Sequence, residues 1–222
     1  MQEIVISKEL KLRCPNLRLG CINAEVSVTE SPEALLAAMD TKIQQLGETL
    51  TIESISKIPT ITASRKGYKV CGKDPARYRL SAEALLRRVV SGKGLYQINN
   101  VVDQLNLVSI TSGFSIGGYD ASQIKGNVSF GIGNEGEPYS GIGRGELNIE
   151  CLPVFRDERG AFGTPTSDSS RTEVTAQTRN FLMVIIDFDF DCSAALPEAM
   201  QLAEKYLIEY CSAKTILQQI IE

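Results

Sequence analysis

Phe181-Leu-Met-Val-Ile-Ile-Asp-Phe188 decides the fold class. Seven of its eight residues are apolar, and no polar alternation marks a wet face. Eight residues are short for a helix but fit a strand covered on both faces, so the segment reads as central in a sheet. The chain just before it is turn-rich. Of 18 glycines, 14 lie between Gly92 and Gly163, with short alternating runs at 127–132 and 146–152, which predicts mostly antiparallel strands. Further upstream the period changes to that of helices. Ser31 reads as an N-cap with Pro32 in the first helical position, and Leu35, Met39, Ile43 and Leu46 form a buried stripe. A second helix is predicted over 59–70. A third is capped by Ser81 and ended by Gly92, with Ala84, Leu85 and Val89 inward and Arg87 and Arg88 outward. A fourth runs over 99–110 and stops near Gly113. Strand signals lie at 3–6 and 17–28. Residues 196–221, with a stripe at Met200, Leu207 and Ile216, predict one or two closing helices. Helices, then sheet, then helices indicate one α+β domain over 1–222.

The composition excludes several chemistries. The chain has 222 residues and no histidine, which removes Ser-His-Asp and Cys-His nucleophile systems, histidine metal ligands and imidazole base catalysis. Tryptophan is also absent and aromatics make up 6% of the chain, so a largely aliphatic core is expected. Six cysteines, at 14, 21, 71, 151, 192 and 211, show no CxxC spacing and read as reduced, buried thiols of a cytoplasmic protein. The opening MQEIVISKEL lacks the pattern of a signal peptide, and no apolar run reaches membrane-spanning length.

Charge is unevenly spread. Nine basic residues between Arg65 and Lys93 face only Asp74 and Glu83, a local +7, while the rest of the chain carries −11. Such asymmetry fits either a basic face for a polyanion or ordinary solvated helices. Gly131, Gly133 and Gly136 match GxGxxG, but Pro138 follows at once, so turns between strands account for them better than a nucleotide loop. Asp187, Asp189 and Asp191 alternate on one face, which could bind a hard cation but is more simply a solvated strand end. The stretch 163–172 concentrates Thr164, Thr166, Ser167, Asp168, Ser169, Ser170, Arg171 and Thr172. It is a loop, serving either a site or its own turns.

The run Lys73-Asp-Pro-Ala-Arg-Tyr-Arg-Leu-Ser-Ala-Glu-Ala-Leu-Leu-Arg-Arg88, followed by Asn99-Asn-Val-Val-Asp-Gln-Leu-Asn-Leu-Val-Ser109, resembles the tRNA-binding and editing domain of the phenylalanyl-tRNA synthetase β subunit, the B3/B4 domain. Gly118-Tyr-Asp120, the 141–146 turn and the Thr166-Ser-Asp-Ser-Ser-Arg-Thr172 loop fit the same family, over about 58–188. The closest likeness is to its free-standing members. The resemblance implies a mixed, mostly antiparallel sheet sandwich with flanking helices, and trans-editing hydrolysis of mischarged aminoacyl-tRNA. The synthetase motif Pro-x-His-Ala-Phe-Asp aligns with 115–120, which puts its histidine column on Gly117.

On that resemblance a pocket is expected between 99–120 and 164–172. Asp120, Asp168 and Asn99 are the expected catalytic group, with Asp120 or Asp168 holding water or the α-ammonium. Asn106, Ser112, Gly117, Gly118, Tyr119, Thr164, Ser167, Ser169, Arg171 and Thr172 are expected to bind substrate or order the loop. Tyr119 or Phe114 would stack on the terminal adenine. Lys73, Arg77, Arg79, Arg87, Arg88 and Lys93 would meet the tRNA acceptor end. No metal, cofactor, DNA or membrane partner is expected. Without histidine, a held water, oxyanion donors and the substrate's ribose hydroxyl would have to suffice. A non-catalytic RNA-binding module and a pocket for an amino-acid derivative are the alternatives.

Overall fold

The computed structural model describes residues 2–188 and 195–222. In chain order its elements are β1 (Ile4–Ile6), α1 (Lys8–Arg13), β2 (Arg18–Glu25), α2 (Glu33–Thr49), α3 (Ile52–Ile55), α4 (Pro59–Cys71), α5 (Ser81–Val90), α6 (Asn100–Ser112) and β3 (Ser115–Asp120). There follow β4 (Val128–Ile132), β5 (Ser140–Gly141), β6 (Gly145–Glu146), β7 (Pro153–Asp157), β8 (Gly160–Gly163), β9 (Asn180–Asp187), α7 (Ala195–Cys211) and β10 (Lys214–Ile221). The protein is α+β, as its sequence pattern indicates. One sheet has the order β1-β4-β7-β8 and the other β10-β2-β9-β3. Within these two sheets every pairing is antiparallel except β1 with β4.

The apolar run of β9 is explained by burial on both faces. Leu182, Val184 and Ile186 point toward the first sheet, where Phe130, Phe155 and Phe162 meet them. Phe130 and Phe155 stack with ring centroids 4.1 Å apart. Phe181, Met183 and Ile185 point the other way, onto Val101, Leu105 and Val108 of α6 and Leu196, Met200 and Leu207 of α7. Each such side chain, fully withdrawn from water, contributes roughly 1.5–3 kcal/mol. Gly20 of β2 lets α7 approach, because a Cβ there would lie 2.8 Å from Leu196 and Met200 atoms. A further core of Leu35, Ile55, Ile61, Leu86 and Leu107 joins the helices α2 to α6.

Four local expectations are corrected. The closing segment is helix then strand. After Cys211 the chain turns through Ser212 (φ 50) and adds β10 to β2, pairing Gln218 with Ile22 and Ile220 with Gly20. Apolar residues at 216, 217, 220 and 221 fit either period, and the open edge of β2 decides for a strand. Ser31 caps no helix, since its hydroxyl donates to Asp103 at 2.6 Å and α2 opens without a side-chain cap. Ser81 lies inside α5 behind Leu80. α5 buries Ala82, Glu83, Leu86 and Val89, leaving Ala84 and Leu85 half-buried. The short α1 has no counterpart in the sequence reading. Gly131 to Gly136 close β4 into a turn with no helix after it. Of the alternating aspartates, Asp187 pairs with Arg18 at 2.6 Å, while Asp189 and Asp191, like Cys192, lie outside the described residues. Among the described residues no helix is long and apolar enough to cross a membrane.

Candidate functional site

A cavity of about 400 Å³ opens between α5, α6, β3 and the 164–168 loop. That volume falls in the range of small-molecule sites, about 300–1,000 Å³. Asn99 shapes one wall. Its side-chain oxygen accepts from the N–H groups of Val101 and Val102, capping α6. Helical spacing then puts Val102, Leu105 and Asn106 on the cavity side. Gly113, in the left-handed region at φ 76, ends α6 and turns the chain into β3. Strand alternation sends Ile116 and Gly118 to the cavity, and Gly117 and Tyr119 to the inter-sheet core. Leu85, Ile98, Ile142, Val174 and Phe181 complete an apolar wall.

The loop largely satisfies itself. The Thr164 hydroxyl accepts from the N–H groups of Thr166 and Ser167 and donates to the Ser167 carbonyl. Ser169 accepts from Arg171 N–H at 3.3 Å. Arg171 forks onto Asp157 at 2.9 and 3.0 Å and also reaches the carbonyl of Gly160, which ties the loop to the β7–β8 hairpin. Burial works against charge on Asp157, but Arg171 prevails and holds its carboxyl below the usual range. Thr172 is buried on the Phe162 carbonyl.

Asp168 is the exception in this loop. Its Oδ2 takes the Gly118 N–H of the β3 edge at 3.3 Å, while Oδ1 is shut off from solvent with no hydrogen-bond partner. Burial pushes this carboxyl up to about 7, opposed only in part by the Gly118 N–H and by Tyr119. A carboxylate can accept about four hydrogen bonds, so Asp168 is strongly under-compensated.

The structure gathers Asn106, Gly118, Thr164, Ser167 and Asp168 around the cavity, with Arg88 at its rim. Asn106 is the one polar side chain of α6 there, and no hydrogen bond to another described residue engages its amide. Other expected residues lie elsewhere. Asp120 is consumed by Ser122 and Thr178. Asn99 is a helix cap, and the Ser112 hydroxyl donates to the Val108 carbonyl at 2.8 Å. Ser169 and Arg171 border a separate polar basin. Tyr119 and Phe114 are almost fully buried, so neither can stack on a base. The exposed aromatic at the cavity mouth is Tyr96, stacked under Arg88 at 3.8 Å and flanked by exposed Ile98 and Ile142. The sequence reading missed these three and Arg144. The available signal was apolar side chains in the glycine-rich connections Ser91-Gly-Lys-Gly-Leu-Tyr-Gln-Ile98 and Gly141-Ile-Gly-Arg144.

The basic segment does not form one outward face. Arg65, Arg79 and Arg87 converge on the buried Glu83 at 2.8, 3.8 and 3.0 Å. Lys73 is buried, donates to the carbonyls of Asn148 and Glu150, and lies over the Tyr78 ring. Lys66, Lys69, Arg77 and Lys93 stay exposed. Among the described residues no group of three or more Cys, Asp or Glu side chains is placed to hold a metal ion.

Residues 63–192 match the B3/4 domain family. The chain belongs to that family. This B3/4 protein is also similar to an N-terminal fragment of the phenylalanyl-tRNA synthetase β-subunit from Pyrococcus horikoshii, at 14% identity and a TM-score of 0.49. The likeness covers 99% of this chain and 54% of that fragment, so the B3/4 protein spans about half its length. No match is found among curated proteins.

Proposed function

We propose that this B3/4 protein hydrolyses the ester of mischarged aminoacyl-tRNA, acting in trans. The observation that carries the proposal is Asp168, an under-compensated carboxylate in a largely apolar cavity whose rim holds Arg88 and Arg144. The apolar wall receives the aminoacyl side chain. Asp168 accepts a proton as water attacks the ester carbonyl, and the Asn106 amide offers a donor to the developing oxyanion. The carbonyl–ribose bond then breaks, and the ribose oxygen takes up the proton. The neighbouring ribose hydroxyl can relay it, so no imidazole is needed. Activity is expected to fall below about pH 7, as Asp168 takes up a proton and stops serving as a base. A panel of mischarged tRNAs incubated with purified protein tests the proposal. Release above buffer from at least one is expected, and release from none refutes it.

Arginines drawn inward onto Glu83 leave few cations for phosphates. With Lys69, Arg77, Arg88, Lys93 and Arg144 as the available set, log–log salt dependence of tRNA binding is expected to have a slope no steeper than about −3.5, at about −0.7 per single-strand phosphate. Filter binding across a salt series measures it. The same scarcity favours the second reading, a cavity for an amino-acid derivative without RNA. Arg77→Glu, an exposed position outside the cavity, separates the two, since it weakens tRNA binding under the first and leaves small-molecule binding unchanged under the second.

A further inference from the structure

Beneath the cavity floor two unsatisfied groups lie side by side. Tyr119 is fully buried, and neither its hydroxyl nor Asp168 Oδ1 has a hydrogen-bond partner. They are close enough to perturb each other, the tyrosine hydroxyl favouring the charged carboxylate and the carboxylate opposing loss of the phenolic proton. The slot that holds the hydroxyl is made by missing side chains. A Cβ at Gly117 would sit 2.1 Å from it, and a Cβ at Gly163 2.2 Å. Phe162 packs edge-on against the ring, with centroids 5.0 Å apart, and fixes its direction. A phenol buried at this depth without a partner is costly, and a bond to the adjacent carboxylate would remove that cost.

We propose that Tyr119 is the positioning residue of Asp168, its hydroxyl donating to Oδ1 from the Gly117–Gly163 slot and holding Oδ2 at the β3 edge. This rests on the reading of Asp168 as the proton acceptor. Tyr119 itself touches no substrate, since it lies on the core face of β3. The other groups around the pair are few. Tyr139 approaches Asp168 from the segment before β5, and Cys21 of β2 approaches Tyr119. Arg88, Arg144 and Glu173 line the cavity itself. No basic side chain contributes to the shift at Asp168, so a hydroxyl donor on Oδ1 is the chief side-chain support of the ionised form.

The test follows the Asp168 carboxyl by ¹³C NMR in aspartate-labelled protein between pH 4 and 9, with the resonance assigned by its loss in Asp168→Asn. Tyr119→Phe is expected to raise the midpoint by about one unit, because a donor to the charged form has been removed. Gly163→Ala, which expels the hydroxyl from its slot, is expected to move it in the same direction. In turnover, Tyr119→Phe lowers kcat near pH 6.5, leaves KM unchanged and moves the acid limb upward. A Tyr119→Phe midpoint within about 0.3 unit of the native protein, or below it, overturns the proposal. If Gly163→Ala does not fold, Tyr119→Phe decides alone. The titration needs no turnover, so a failed deacylation panel removes the proposed reaction while the carboxyl midpoint still decides this assignment.

Discussion

Asp168→Asn is expected to abolish ester release and, at pH 8, to make the protein more stable by about 2–4 kcal/mol. Both effects come from one carboxyl. Asp168 ionises near pH 7 in the folded protein, against an ordinary value of 3.8. Between about pH 4 and 7 the native state therefore holds a proton that the unfolded chain has released, and stability falls as pH rises through that window. Above pH 7 the cost is fully present. Asparagine carries no charge to desolvate, can still accept the Gly118 N–H, and offers donors toward Tyr119. Thermal melts at pH 4.5 and pH 8 check this. The variant should gain on the native protein only at the higher pH. Equal melting temperatures at pH 8, or retained activity, would refute the role given to Asp168. A site that stores instability in a group it needs for chemistry is a common trade between stability and function.

Glu83→Ala is expected to cost about 3 kcal/mol or more, because it leaves Arg65, Arg79 and Arg87 facing one another around a vacated, buried position. The arginines are partly exposed, which keeps the effect near the low end of the range for broken buried pairs, while the Glu83 side chain is only 1% exposed. For a chain of this size that loss lowers the melting temperature by on the order of 10 °C, read by circular dichroism. A change of less than about 2 °C would show that the cluster is solvated and its arginines available to phosphates. By the same geometry Arg87→Glu sets a second carboxylate against Glu83, so lost RNA binding in that variant would report unfolding.

The central strand, the α+β class and the family likeness were legible in the sequence because each rests on local pattern. Phe181–Phe188 is apolar on both faces, and Asn99 and Gly113 carry the chemistry of helix ends. A pocket between 99–120 and 164–172 was expected only on the family resemblance, and the structure builds the cavity walls from α5 and the 96–98 and 142–144 connections as well. The members were harder to assign. Asp120 and Asp168 are alike as residue types, yet Ser122 and Thr178 saturate one while the other keeps an orphaned oxygen. Gly117 reads as a vacated functional position, but strand alternation turns it into the core, where its missing Cβ admits the Tyr119 hydroxyl.

Sequence alone determined what chemistry is absent, above all imidazole, and placed the central strand, the longer helices before residue 113 and the turn-rich region, because composition and short-range period survive without tertiary contacts. Tertiary structure decided which charges face water and which face each other. Nine basic residues in 29 positions look like one surface, but the turn between α4 and α5 brings three of them, Arg65, Arg79 and Arg87, onto a single buried glutamate. It also decided that residues 214–221 pair as a strand, since an open sheet edge outweighs a weak local period. It singled out Asp168 as the carboxyl near neutrality, because desolvation depends on what packs around a group rather than on its neighbours in the chain.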